Sequence, residues 1–115
     1  MTSFENIFKA LGEPTRMRIV KLMVSVDRVC VCELQEIMNI SQPRISQHLK
    51  ILKQANLVTE QREGQRRVCT FNREYFNEII SQFNQFLDTS LDELNDYESE
   101  AIKIKDLSLG TNCTN

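Results

Sequence analysis

The feature that most constrains the fold is a change in the spacing of apolar residues near position 57. Before it, apolar side chains recur every three or four residues, as on the buried face of a helix. Residues 57–62 and 66–71 instead have the alternating, β-branched character of two short strands, and residues 63–65 (Glu-Gly-Gln) form a turn between them. After Glu74 the helical spacing returns. We therefore predict a small β-hairpin within a mainly α-helical chain.

Four helices are predicted before the hairpin and one after it. The first ends at Gly12, the second begins at Pro14, and the third spans about Cys30 to Met38. The fourth follows the N-cap Ser41 and ends near Asn56, where a left-handed residue is expected. The last carries an apolar stripe formed by Phe76, Ile79, Ile80, Phe83, Phe86, Leu87, Leu91 and Leu94.

Charge is unevenly distributed along the chain, although the net charge is only −2. Residues 41–67 carry six bases and two acids, which gives a local charge of +4. Residues 74–100 carry eight acids and no lysine or arginine. Because local charge decides where a polyanion docks, the middle segment is the expected nucleic-acid surface and the C-terminal third is expected to repel DNA.

The third and fourth helices, followed by the basic hairpin, have the order of a winged helix-turn-helix. In that fold the second helix of the pair enters the major groove of double-stranded DNA, and the hairpin contacts phosphates or the minor groove. Glutamine and arginine suit the groove, because they bind adenine and guanine bidentately. A winged helix that binds a protein instead of DNA is the alternative, since a fold alone does not fix a function. The predicted DNA-contacting residues are Ser41, Gln42, Pro43, Arg44, Ser46, Gln47, Lys50, Arg62, Gln65, Arg66 and Arg67.

Other classes of function lack support in the sequence. The chain has no glycine-rich phosphate loop and no nucleophile with a histidine partner, so no enzymatic activity is expected. No apolar run approaches the roughly 20 residues that span a bilayer, and the first residues lack the features of a signal peptide. We therefore expect a cytoplasmic protein with reduced cysteines. Residues 1–106 are predicted to form a single domain, and residues 107–115 a flexible tail.

Four segments resemble the ArsR/SmtB family of winged-helix metalloregulatory repressors. They are residues 12–19 (GEPTRMRI), 30–34 (CVCEL), 41–50 (SQPRISQHLK) and 55–58 (ANLV), and the likeness spans about residues 4–95. The resemblance implies a homodimeric transcriptional repressor that binds operator DNA without a cofactor and leaves it when an inducer binds. It also implies a dimer interface formed by the first and last helices, which here carry the apolar residues Phe4, Phe8, Phe83, Phe86 and Leu87.

The Cys30-Val31-Cys32 motif resembles the sensing motif of the family's arsenic, antimony, cadmium and lead repressors, the arsenic and antimony type most closely. Thiolates are soft ligands, so As(III) or Sb(III), and after them Cd(II) or Pb(II), are the expected inducers. Residues two apart on an ideal helix point about 200° from each other. The two sulfur atoms can therefore meet only if Cys30 precedes the helix or if the first turn unwinds on binding.

A third ligand is expected, because As(III) prefers three thiolates. Where some family members carry a third cysteine, this chain has Gln35, and the amino-terminal cysteines of the cadmium and lead sensors are missing. The candidates are Cys113 in the tail, from the same or the partner subunit, and a non-protein thiol. Cys69 is expected to pack internally, and His48 to be structural or to contact a phosphate. A redox sensor, in which a pair such as Cys32 and Cys113 forms a disulfide, is the alternative.

Overall fold

The structure is a computed structural model that describes residues 4–107. The chain divides into two compact units, one up to Ile80 and one from Ser81 onward. The prediction of a mainly helical chain with a small hairpin is confirmed. The elements, in chain order, are α1 (Phe4–Leu11), α2 (Pro14–Val26), β1 (Val29–Cys30), α3 (Val31–Met38), α4 (Gln42–Gln54), β2 (Val58–Glu63), β3 (Arg66–Phe71), α5 (Arg73–Asp88), two 3-10 turns (Leu91–Glu93 and Asn95–Tyr97) and α6 (Glu98–Leu107).

Helix ends in the first unit lie where the local chemistry predicts them. Pro14 opens α2, and the side chain of Glu13 caps this helix by accepting a backbone hydrogen bond at 2.8 Å. Ser41 caps α4 in the same way, through the amide of Arg44 at 3.4 Å. Asn56 follows the last turn of α4 with a left-handed φ of +62°. The predicted limits of the recognition helix are therefore confirmed.

The sheet contains three strands, in the order β1-β3-β2, rather than the two that the sequence predicts. β2 and β3 are joined by Gly64 and Gln65, and the φ of +65° at Gly64 is one that glycine adopts without strain. The turn is one residue shorter than predicted, because Glu63 still belongs to β2. β1 pairs antiparallel with β3 and places Cys30 opposite Val68. A strand of two residues is too short to produce an alternating pattern, so the sequence did not predict it.

The core of the first unit draws on helices α1 to α5 and on the sheet. Three of its residues, Ile45, Leu49 and Leu52, form the buried face of α4, which turns the opposite face of this helix to solvent. Cys69 is fully buried, as expected of a packing residue, and this burial raises the pKa of its thiol to about 11. The largest fully buried side chains are Ile7, Ile19, Met23, Cys30, Leu34, Ile45, Leu49, Leu52, Leu57, Cys69 and Ile79.

The prediction of one continuous last helix is wrong beyond Asp88, where α5 ends. Ser90 stops it, because its hydroxyl accepts a hydrogen bond from the amide of Asp92 at 3.4 Å and starts a 3-10 turn. Leu91 therefore lies in that turn and Leu94 directly after it. The helix α6, which follows, was not predicted as a separate element.

Residues 107–115, the predicted tail, lie outside the described residues except for Leu107, the last residue of α6. Cys113, the predicted third ligand, is among those outside. None of the described helices is long and apolar enough to cross a bilayer.

Candidate nucleic-acid interface and thiol site

The solvent-facing side of α4 carries most of the residues that are predicted to contact DNA. Its exposed residues include Gln42, Pro43, Arg44, Gln47 and Lys50, while the N-cap Ser41 is exposed at its amino-terminal end. Ser46 is half-buried on the same helix, where its hydroxyl accepts a hydrogen bond from the side chain of Gln42 at 3.0 Å. The helix thus presents two cations and several hydrogen-bonding groups on one continuous face.

The hairpin formed by β2 and β3, here called the wing, carries the other predicted contacts. Arg62, Gln65 and Arg66 are exposed near its tip. Arg67 differs, since it is half-buried and points back to the body of the unit. There it donates to the carboxylate of Glu60 and, through Nη1, to the hydroxyl of Ser46 on α4 at 3.3 Å. Arg67 therefore ties the wing to the recognition helix α4, and its predicted DNA contact stays a prediction.

Glu60 is the centre of this link. Its carboxylate accepts hydrogen bonds from Lys53 Nζ at 2.9 Å and from two nitrogen atoms of Arg67 at 2.9 and 3.1 Å. These hydrogen bonds, those from Arg67 above all, lower the pKa of Glu60 to about 2 despite its partial burial. The local charge of +4 over residues 41–67 includes Lys53 and Arg67, both of which pair with Glu60 in the structure. Within residues 4–107, the cations of the interface that form no ion pair are Arg44, Lys50 and Arg62.

A second link that the sequence did not predict joins α4 to the end of α1. Arg16 donates through Nε to the carbonyl of Ala10 at 2.7 Å and through Nη2 to that of Lys9 at 3.3 Å. Its Nη1 lies 3.3 Å from Nδ1 of His48. This contact supports the structural role expected for His48. Arg16 lies within the family-like segment of residues 12–19, which was the one signal available for it.

Cys30 and Cys32, here called the thiol pair, meet the geometric condition set by the sequence. Cys30 has extended backbone angles (φ −90°, ψ 158°) and is the N-cap of α3, so it precedes the helix. Its sulfur atom lies 2.8 Å from that of Cys32. Glu33 fixes this arrangement, because its carboxylate accepts a hydrogen bond from the amide of Cys30 at 2.9 Å. The two sulfur atoms converge without any unwinding of the helix.

The surroundings of the thiol pair combine burial, exposure and charge. Cys30 is 2% exposed, whereas Cys32 is open to solvent. The hydrogen bond to Cys30 raises the pKa of the Cys32 thiol. Arg66 places Nη2 3.1 Å from the sulfur of Cys30 and 3.5 Å from the carboxylate of Glu33. A soft electrophile that enters here therefore meets two sulfur atoms, one of them accessible, beside a guanidinium group.

The remaining predicted residues are distributed over α1 and α5. Phe4 is half-buried and Phe8 is 42% exposed on α1. Phe83 and Phe86 stack on each other on α5, with ring centroids 5.9 Å apart, and Leu87 beside them is 61% exposed. Their assignment to a dimer interface stays a prediction. Within residues 4–107, no three His, Cys, Asp or Glu side chains converge to hold a metal ion.

Known proteins with similar sequences and structures indicate the family of this chain. Residues 13–60 match the family model described as "Bacterial regulatory protein, arsR family". An arsenical resistance operon repressor of Bacillus subtilis (strain 168) is 35% identical over 82 residues, which cover 71% of this chain and 78% of that protein. The transcriptional repressor SdpR of the same organism is 35% identical over 89 residues, 77% of this chain and 98% of the repressor. A crystal structure of a possible transcriptional regulator for arsenical resistance superposes with a TM-score of 0.61 at 26% identity, covering 84% of this chain and 93% of that one.

Proposed function

The chain belongs to the ArsR family of bacterial regulatory proteins, and we propose that it releases its operator when a thiophilic inducer binds the thiol pair. Members of this family are transcriptional regulators rather than enzymes, and this chain is a DNA-binding transcriptional repressor. The observation that carries the proposal is the convergence of the Cys30 and Cys32 sulfur atoms at 2.8 Å. The two thiols lie at the start of α3, which packs directly against the recognition helix α4.

Arsenite or antimonite is the inducer that this site fits best, and Cd(II) or Pb(II) follows. Thiol sulfur is a soft donor, and trivalent arsenic is a soft acceptor. Arsenous acid exchanges two hydroxyl groups for the two sulfur atoms, each thiol proton leaves with a hydroxyl group as water, and no oxidation state changes. The names of several relatives, arsenical resistance operon repressors of Bacillus subtilis and Escherichia coli among them, favour this choice.

Binding of a metal requires the thiol pair to rearrange. An ion bonded to both sulfur atoms replaces their direct contact and sets a new distance between them. Cys30 is held by its strand pairing with Val68 and by its hydrogen bond to Glu33. Cys32, in the first turn of α3, is therefore the residue that moves. Because α3 packs on α4, this displacement reaches the DNA-reading face.

The third ligand and the dimer complete the proposal. Cys113, from the same or the partner subunit, or a small-molecule thiol fills the third position on As(III). The subunits associate through the apolar residues of α1 and α5 into a two-fold dimer. Such a dimer presents two recognition helices to half-sites about one helical turn apart, roughly 34 Å.

The test is fluorescence anisotropy of the reduced protein on DNA from upstream of its own coding sequence, titrated with arsenite and with Cd²⁺. We expect the wild type to be released, and Cys30→Ser and Cys32→Ser to bind DNA with unchanged affinity but to resist release at least tenfold. Cys69→Ala is the matched control, because it removes a fully buried thiol that is not part of the pair, and it should respond like the wild type. Cys113→Ser tests the tail. Wild-type release in both serine variants would contradict the proposal.

A redox switch is the second candidate, and the exposure of Cys32 favours it. Two thiols give two protons and two electrons to a peroxide, which leaves a disulfide and two molecules of water. The partner of Cys32 is Cys113 in this alternative. A titration with hydrogen peroxide in the same assay separates the candidates, because release by peroxide but not by arsenite or Cd²⁺ would establish the redox switch.

A further inference from the structure

Two ion pairs cross between the tip of the wing and the segment of residues 28–33 that carries the thiol pair. Arg28, just before β1, pairs with Glu63 at the end of β2. Arg66, at the start of β3, pairs with Glu33 of α3 at 3.5 Å. Between them lies a cavity of about 330 Å³ that is lined in part by Cys30. The wing tip is thus connected to the inducer segment by charged side chains on both sides of a cysteine.

We propose that Arg66 couples the thiol pair to DNA binding, as a positioning residue that fixes the wing only while the sulfur atoms are free of ligand. This inference rests on the proposed function and names the residue that transmits the signal. Nη2 of Arg66 lies 3.1 Å from the Cys30 sulfur, so a lone pair of that sulfur accepts its hydrogen bond. A soft ion that binds this sulfur replaces the thiol proton, and its bond to the sulfur redirects the lone pairs that remain to accept the hydrogen bond from Arg66.

The consequence extends from the thiol pair to α4 over two neighbouring residues. Arg66 is followed on β3 by Arg67, whose Nη1 donates to Ser46 of the recognition helix at 3.3 Å. Loss of the Arg66 contact with Cys30 therefore loosens the start of β3. The next residue on this strand is Arg67, which connects the wing to the recognition helix. Arg66 is also one of the side chains predicted to contact phosphate, so its release changes the DNA-facing surface directly.

Because Arg66 is exposed, its role in coupling can be tested without disturbing the fold. Its side chain is 59% exposed and that of Glu33 is 50% exposed, so their ion pair contributes little to stability. Arg66→Gln is therefore expected to fold. Arg62→Gln is the matched control, because Arg62 is exposed on the neighbouring strand of the same hairpin and loses the same charge.

The experiment measures two quantities with Cd²⁺ as the probe. The first is the ratio of operator Kd with and without Cd²⁺, and the second is the Cd²⁺ affinity of the DNA-free protein, read from the thiolate-to-metal charge-transfer band. For Arg66→Gln we expect the ratio to fall roughly fivefold or more, a change typical of a coupling residue. We expect Cd²⁺ to bind this variant about as tightly as the wild type, because Arg66 supplies no ligand atom to the ion. Arg62→Gln should weaken operator binding but keep both wild-type values.

Two outcomes would overturn the inference: an unchanged ratio in Arg66→Gln, and an equal loss of the ratio in Arg62→Gln. Circular dichroism establishes that each variant is folded, and Arg66→Lys, which restores the charge, should recover part of the ratio. If Cd²⁺ binds the wild type but does not release it from DNA, both the proposed function and this inference are contradicted. If Cd²⁺ releases the wild type and the Arg66→Gln variant equally well, only the inference is contradicted.

Discussion

Replacing Arg44 and Lys50 together by glutamine is expected to weaken operator binding by at least about 100-fold. Both side chains are exposed on the solvent face of α4, and within residues 4–107 neither forms an ion pair. A lost arginine–base contact costs about 1–3 kcal/mol, and each lost phosphate contact also removes counterion release. The fold should survive, because the core side of α4 is formed by Ile45, Leu49 and Leu52.

Fluorescence anisotropy at several salt concentrations measures this effect. The double variant should show a smaller dependence of affinity on salt as well as a weaker affinity. The control is Lys21→Gln with Lys103→Gln, which removes the same charge from exposed positions on α2 and α6. An equal loss of affinity in the control would mean that net charge alone attracts DNA. Unchanged binding by the Arg44 and Lys50 variant would favour a winged helix that binds a protein partner.

Glu60→Gln is expected to lower the free energy of unfolding at pH 7 by about 2–3 kcal/mol. The carboxylate holds Lys53 and Arg67 together, and these contacts lower its pKa from 4.5 to about 2. Because the pKa is lower in the folded state, the stabilisation is fully present above about pH 4.5 and is lost as the pH falls toward 2. Glutamine keeps the shape but leaves two cations without their anion.

Urea denaturation at pH 7 and at pH 3 tests this prediction. The difference between wild type and Glu60→Gln should be large at pH 7 and clearly smaller at pH 3. Glu36→Gln, at an exposed position of α3, should differ little from the wild type at either pH. A difference for Glu60→Gln that does not depend on pH would mean that packing, rather than the charge of the carboxylate, supplies the stabilisation.

Much of the fold could be predicted because its boundaries depend on local chemistry. Pro14, Ser41 and Asn56 each act on the backbone within one helical turn, and each lies at the predicted helix end. The change from helical to alternating spacing located the wing to within one residue at each strand. The condition on the thiol pair also came from local geometry, since Cys30 had to precede the helix for the sulfur atoms to meet.

What the sequence did not predict depends on partners distant along the chain. β1 exists only because β3 lies beside it, and two residues carry no period of their own. The role of Glu60 depends on Lys53 and Arg67, seven residues away on either side, which reach it only after the wing packs on α4. The signal available in the sequence was an acid among the bases of residues 41–67, which contributes only one negative charge to the local sum. α5 ends before Ser90, whose hydroxyl accepts a backbone hydrogen bond. The apolar spacing continues past this residue, so it does not indicate the end of the helix.

Control of DNA binding by Cys30 and Cys32 is tested most directly by measuring the arsenite affinity of the reduced protein with and without saturating operator DNA. Protection of individual cysteines from alkylation, read by mass spectrometry, identifies the thiols that bind. Because linkage is reciprocal, operator should weaken arsenite binding by the same factor by which arsenite weakens operator binding. We expect protection at Cys30 and Cys32 and a lower arsenite affinity on DNA. Equal arsenite affinity in both conditions, or protection confined to other cysteines, would contradict the proposal.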